Sequence, residues 1–146
     1  MRQFFDSSVL IPVFYADHSH HAASAAVFLT ARKEDSFCAL RTFGEVYAVL
    51  TGMPLRPRIS GKDGVAILNQ IRQRLTLVSL TEDEYFSALE KVSASIIGGA
   101  AYDALIARCA VKAGAEVLLT WNLWDFTRFG EVAHIVKTPL EVQPRE

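Results

Sequence analysis

Apolar positions along this chain change period repeatedly, and the changes predict short strands alternating with helices. Arg2 to Phe5 is expected to be a strand, ended by Asp6, and Ser7 and Ser8 follow as caps for a short helix containing Val9 to Tyr15. Pro12 suits that helix only in its first turn or at a kink. After a polar break at Asp17 to His20, Ala22, Ala25, Ala26 and Leu29 line one side of a second helix. Ser36 to Leu40 follows as the second strand. Phe43, Val46, Tyr47, Leu50 and Met53 then recur at helical spacing in a helix from about Thr42 to Met53. The PLRPR break at 54–58 leads into an amphipathic helix around Gly64 to Arg74 and a third strand, Leu75 to Leu80. Thr81 with Glu84 three residues on has the form of a capping box.

The stretch from Gly98 to Phe129 has the clearest pattern. Tyr102, Leu105, Ile106, Cys109 and Ala113 share one helical face, Gly98-Gly99 marks the entry and Gly114 the stop. Val117-Leu118-Leu119 is a continuous apolar run, as expected of a strand buried on both faces of a parallel sheet. A polar turn holding Asn122 and Asp125 follows, and a last strand is expected near Ala133 to Val136. Such alternation describes one α/β domain over residues 1–146, a mostly parallel sheet flanked by helices.

The acidic residues gain meaning from that scheme. Asp6 ends the first strand, Glu45 opens the helix after the second, and Asp103 lies in the first turn of the helix before the VLL strand. Asn122 and Asp125 follow that strand directly. All of them project from one sheet edge, where open α/β sheets place their ligands. Each has an ordinary reading alone: Asp6 as a helix cap, Glu45 and Asp103 as acids favoured by a helix dipole, Asn122 as a turn residue, Asp125 as the cap of a short turn. Together they are costly, because two carboxylates about 5 Å apart repel by about 3 kcal/mol at an effective dielectric near 20. Hard oxygen ligands without an obvious cation for each suit Mg²⁺ or Mn²⁺, whose usual work in such a site is phosphodiester hydrolysis. Ser7 and Thr120 stand beside the presumed ligands, where a hydroxyl could orient a carboxylate.

Composition refines this picture. A hydrophobic fraction of 51% against 21% charged suits a well-buried domain with an apolar patch kept for a partner. The formal net charge of -1 offers no global attraction to nucleic acid, so any phosphate-binding surface must be local. Arg41, Arg56, Arg58 and Lys62 are the candidates for it. Trp121 and Trp124 could stack on unpaired bases or serve packing and a dimer interface. His18, His20 and His21 lack a zinc-type ligand pattern and read as a solvated helix entry. Cys38 and Cys109 read as small buried thiols. No apolar run approaches the roughly 18 residues of a membrane span, and VLIPVFYA lacks the basic start of a signal peptide, so a cytoplasmic location is expected.

The segments FFDSSVLI, FGEVYAVL, YDALIA and LLTWNLWDF resemble the four motifs of PIN-domain nucleases. Their spacing and the flanking DHSHHAA are similar to the VapC-type toxins of bacterial toxin–antitoxin modules. The resemblance implies a PIN-like domain in which Asp6, Glu45 and Asp103 are catalytic ligands of Mg²⁺ or Mn²⁺. Its fourth acidic position falls in TWNLWD, where Asn122 stands in place of the aspartate many relatives carry; Asp125 is then the nearest carboxylate, and either could serve. It further implies a single-strand-specific endoribonuclease that leaves 5′-phosphate and 3′-hydroxyl ends, is usually a homodimer, and is restrained by a cognate antitoxin. A non-catalytic PIN scaffold binding RNA or a partner is the alternative. A phosphate-accepting receiver domain would need paired acids at the first strand and a late lysine, which FFDSS and LLTWN do not supply.

Overall fold

The computed structural model describes residues 1–142. In chain order they form β1 (Gln3–Phe5), α1 (Ser7–Val13), α2 (His21–Leu29), β2 (Ser36–Ala39), α3 (Leu40–Gly52), α4 (Gly61–Arg74), β3 (Thr76–Val78), α5 (Glu82–Val92), α6 (Ala100–Lys112), β4 (Val117–Leu119), α7 (Leu123–Thr127) and β5 (Val136–Lys137). The strands lie in the order β3-β2-β1-β4-β5, and every pairing is parallel. Residues 143–146, the end of the proline-bearing tail, lie outside the described residues. Among those described, no helix is long and apolar enough to cross a membrane.

Alternation along the strands supplies two cores. Phe4, Phe37 and Leu118 face α6 and residues 126–132, while Phe5, Cys38, Val117 and Leu119 face the opposite way. There they meet Val9, Leu10, Phe28, Val46, Leu50 and Ile71 of α1 to α4. A three-residue strand such as β4 cannot persist on its ladder bonds alone. Its three side chains are buried completely or nearly so, each contributing about 1.5–3 kcal/mol, and that burial holds it in place. Cys38 and Cys109 are buried free thiols, as expected.

Strand order reverses at β1: the chain builds β1, β2 and β3 outward on one side, then returns to lay β4 on the other. Such a reversal leaves a crevice at the C-terminal ends of the two central strands. Asp6 lies there, its backbone N–H bonded to the Leu119 carbonyl at 3.0 Å.

Several local expectations need correction. Asp6 itself caps α1, accepting from the Ser8 backbone N–H, so the cap lies one residue before the serines expected to supply it. Pro12 is not in the first turn; it is the sixth residue of a helix that ends at Val13. Helix α3 begins at Leu40, which puts Glu45 in its second turn instead of its first. The polar turn after β4 winds into the short helix α7. Residues Ala133–Ile135, expected in a strand, form a 3₁₀ turn, and β5 follows it. The Thr81/Glu84 capping box is present, and Gly114 has φ +68° at the end of α6, the left-handed conformation a helix stop of this kind requires.

Candidate active site

At the crevice between β1 and β4 a cavity of about 260 Å³ is lined by Asp6, Glu45, Asp103, Asn122 and Asp125, together with Ser7, Arg41 and Tyr102. All five residues expected at this edge are therefore brought together. Asp6 is buried at the floor, Asp103 and Asp125 are half-buried on the wall, and Glu45 and Asn122 are exposed at the rim.

Asp6 is held by hydroxyls. Its Oδ2 accepts from Ser8 Oγ at 2.7 Å and from Thr120 Oγ1 at 2.9 Å. Those hydroxyls accept in turn from the backbone N–H groups of Trp121 and Asn122, at 2.9 and 3.0 Å. The end of β4 is thus tied to the end of β1 through one carboxylate oxygen. Among the described residues Oδ1 takes no hydrogen bond. Thr120 fills the orienting role expected of it, but Ser8 is the second partner and Ser7 only lines the cavity. Burial raises the Asp6 carboxyl, the hydroxyl and backbone hydrogen bonds counter it, and repulsion from Glu45 adds to it.

Asp103 lies in the first turn of α6, one turn in from Gly98, whose φ of +68° sets the entry. Burial, then Asp125, then Asp6, push its carboxyl up to about 6 against the pull of Arg128. Arg128 is the residue the sequence reading missed: its Nη2 donates to Asp103 Oδ2 at 3.0 Å, while its Nε donates to the Asp125 carbonyl at 3.1 Å. Asp125 and Arg128 stand three apart, so the short turn of α7 brings the Arg128 side chain back to the Asp125 carbonyl. Arg41, expected as a phosphate contact, does face the cavity and lies 3.7 Å over the Tyr102 ring.

Other expected contacts are elsewhere. Arg56 and Arg58 line a separate cavity of residues 54–58, beyond the far end of α3, and Lys62 is exposed in the first turn of α4. Trp121 is a packing residue: its indole Nε1 donates to buried Ser24 Oγ and its ring stacks on His20 at 3.7 Å. His20 is therefore not simply solvated, and His21 Nδ1 lies 2.7 Å from the Pro12 carbonyl. Trp124 is 85% exposed.

Could the acidic residues hold a divalent ion? Among the described residues, no three His, Cys, Asp or Glu side chains already stand close enough to enclose one. Mg²⁺ needs no such cage, since it dehydrates reluctantly and is usually held by one or two carboxylates with water. Four hard carboxylates and an amide around one cavity are the donor chemistry it prefers, so the residues fit.

Residues 4–131 match the family model described as PIN domain. The chain belongs to the PIN-domain family. Within it, the chain is similar to Ribonuclease VapC27 of Mycobacterium tuberculosis, with 35% identity over 114 residues, 77% of this chain and 79% of that protein. The PIN fold is shared with M. tuberculosis VapC20, described as a Sarcin-Ricin loop cleaving toxin (TM-score 0.66, 17% identity, 88% of this chain and 95% of that one). It is shared also with VapBC2 of Rickettsia felis bound to a promoter DNA fragment (TM-score 0.65, 15% identity, 94% and 98%). VapBC-1 of nontypeable Haemophilus influenzae is a third example (TM-score 0.62, 16% identity, 96% and 99%).

Proposed function

We propose that this PIN-domain protein is a Mg²⁺- or Mn²⁺-dependent endoribonuclease, the toxin of a toxin–antitoxin pair. The observation that carries the reading is the convergence of Asp6, Glu45, Asp103 and Asp125, from four separate segments, on one cavity at the strand-order reversal. Similarity to a VapC ribonuclease supports the substrate class. Asp6, Glu45 and Asp103 would hold the ion, one or two of them directly and the rest through its water shell, with Asn122 or Asp125 assisting. When bound, a divalent cation supplies charge that stabilises a phosphoryl oxygen and makes hydroxide available near neutral pH. The chain's own residues do the rest. Ser8 and Thr120 fix Asp6 through Oδ2 so that Oδ1 is available to the cavity, and Arg128 keeps Asp103 compensated until a phosphate competes for the guanidinium. Arg41, steadied by Tyr102, adds a second cation at the rim.

The test is Asp6→Asn. It keeps the cap geometry, so far-UV circular dichroism should be unchanged, while cleavage of single-stranded RNA falls about a hundredfold or more, since even residues that merely orient metal ligands are worth 10–100-fold. Calorimetric Mn²⁺ binding should weaken in parallel. Parent-like cleavage by this variant, or by chelator-treated protein, would sink the reading. Parent protein that binds RNA without cutting it and takes up no Mn²⁺ would establish the non-catalytic scaffold instead.

The same reading includes a cognate antitoxin and a homodimer. Exposed Phe86 (68%), Ile97 (84%) and Trp124 (85%) offer apolar area for such partners. Co-expression with the protein encoded beside it should give a complex that cleaves no RNA.

A further inference from the structure

A second cavity, of about 500 Å³, lies between α5 and α6 and is closed at one end by residues 128–131. Its size is that of sites that take nucleotide-sized ligands. Lys91, Arg108 and Arg128 face it, with Glu131 as the one carboxylate on its wall. Glu131 Oε2 accepts from Arg108 Nη1 at 3.1 Å and lies 3.7 Å from Lys91 Nζ, so two cations share a single negative charge. Ala88, Val92 and Phe129 supply an apolar side.

We propose that this cavity is a nucleotide subsite for the RNA strand cut in the acidic cleft, holding a neighbouring phosphate on Lys91, Arg108 and Arg128 and its base or ribose against the apolar side. The proposal rests on the nuclease reading and adds to it the residues that grip the substrate. Two observations favour RNA as the ligand. First, the two cavities meet at one ion pair. Arg128 lines this cavity and donates to Asp103 in the other, and its guanidinium is steadied 5.2 Å over the Phe129 ring. Asp103 and Arg108 are five residues apart on α6, a rise of about 7.5 Å with a turn of about 140°, so they leave the helix on different sides and Arg128 is what links the two cavities. Second, the acidic cleft by itself repels a polyanion, and the chain's formal net charge of -1 gives no general attraction. Arg41 is one cation at the cleft, and others must stand beside it, where Arg56 and Arg58 do not.

The experiment uses a short fluorescein-labelled single-stranded RNA, read by anisotropy in EDTA so that nothing is cut, over a range of salt. Lys91→Gln and Arg108→Gln should each raise Kd about tenfold, as expected for loss of one charged hydrogen bond. Each should also flatten the log–log salt dependence by about 0.7, the value of one phosphate contact on a single strand. Glu131→Gln, which frees both cations, should tighten binding and so give the opposite sign to any effect of general destabilisation. If the parent binds and cuts RNA while all three variants keep its Kd and salt slope, the subsite proposal is wrong and the nuclease reading stands. Loss of antitoxin binding with RNA binding unchanged would make the cavity a protein site and overturn it too. A parent that binds no RNA in EDTA and cuts none once Mn²⁺ is restored overturns both.

Discussion

Asp103 is pulled two ways, and the balance is measurable. Its carboxyl is raised from 3.8 to about 6, chiefly by burial and then by Asp125 and Asp6, despite the ion pair with Arg128. Through that window the folded chain keeps a proton that the unfolded chain has released. Stability therefore falls as pH rises from 3.8 to about 6 and levels off above it. Asp103→Asn should remove this slope and leave the variant more stable than the parent above the window. The gain should be under about 1 kcal/mol, because a half-exposed group is screened by solvent, or about 2–4 °C in Tm. Thermal melts above and below the window decide it; a variant less stable at neutral pH would mean that the Arg128 pair outweighs the burial cost. Asp6 shows the other side of residue-scale reading. Capping and ligation looked like rival roles for it in sequence, yet one oxygen serves the cap and the hydroxyls while the other is left over. Types and spacing cannot reveal that division, which arises only when Ser8 and Thr120 reach the same carboxylate.

Helix α3 carries Glu45, and its seating on α4 depends on a glycine. A Cβ at Gly64 would come within 2.8 Å of Tyr47 Cε2 and 2.9 Å of Thr51 Cγ2, whereas one at Gly44 would meet nothing within 4 Å. Gly44→Ala should therefore stabilise the protein by up to about 1 kcal/mol through helix propensity alone. Gly64→Ala gains the same propensity but overpacks the contact, at a cost of about 1–3 kcal/mol, and should come out neutral to destabilising. Denaturant midpoints for the pair test this, and equal gains at both sites would show the α3–α4 contact to be soft. Long periodic helices such as α3, α4 and α6 were legible in the sequence because one buried face sets their phase. The five-residue α7 was not, since fewer than two turns leave no period to detect. Arg128 was hidden with it: its partner Asp103 is 25 residues away, and the ion pair exists only because α7 turns the chain back. The acidic edge was legible without those details because parallel βα topology alone sends strand ends and helix starts to one side.

Burial is distributed unevenly over the molecule, and the unevenness falls on the proposed substrate groove. Helix α6 buries six side chains and β1 and β4 three each, whereas α5 buries only Ala88. The start of α5 is fastened by the Thr81/Glu84 box and by Lys112, whose Nζ donates to Glu84 Oε1 at 2.6 Å and to the Ser79 carbonyl at 2.9 Å. Its far end, which carries Lys91, has the exposed Lys91–Glu131 pair, of a kind worth about 0–1 kcal/mol. Local opening follows such differences in burial. In hydrogen exchange the amides of residues 88–95 should therefore exchange well before those of β1, β4 and α6, while the capped start of α5 is intermediate. Added single-stranded RNA should slow exchange at 88–95 more than anywhere else on the surface, because the strand would bridge a loosely held α5 to a firmly held α6. If residues 88–95 are as protected as α6 in the free protein, burial is not what sets local stability here. Protection by RNA confined to residues 54–58 would move the substrate path to the far end of α3.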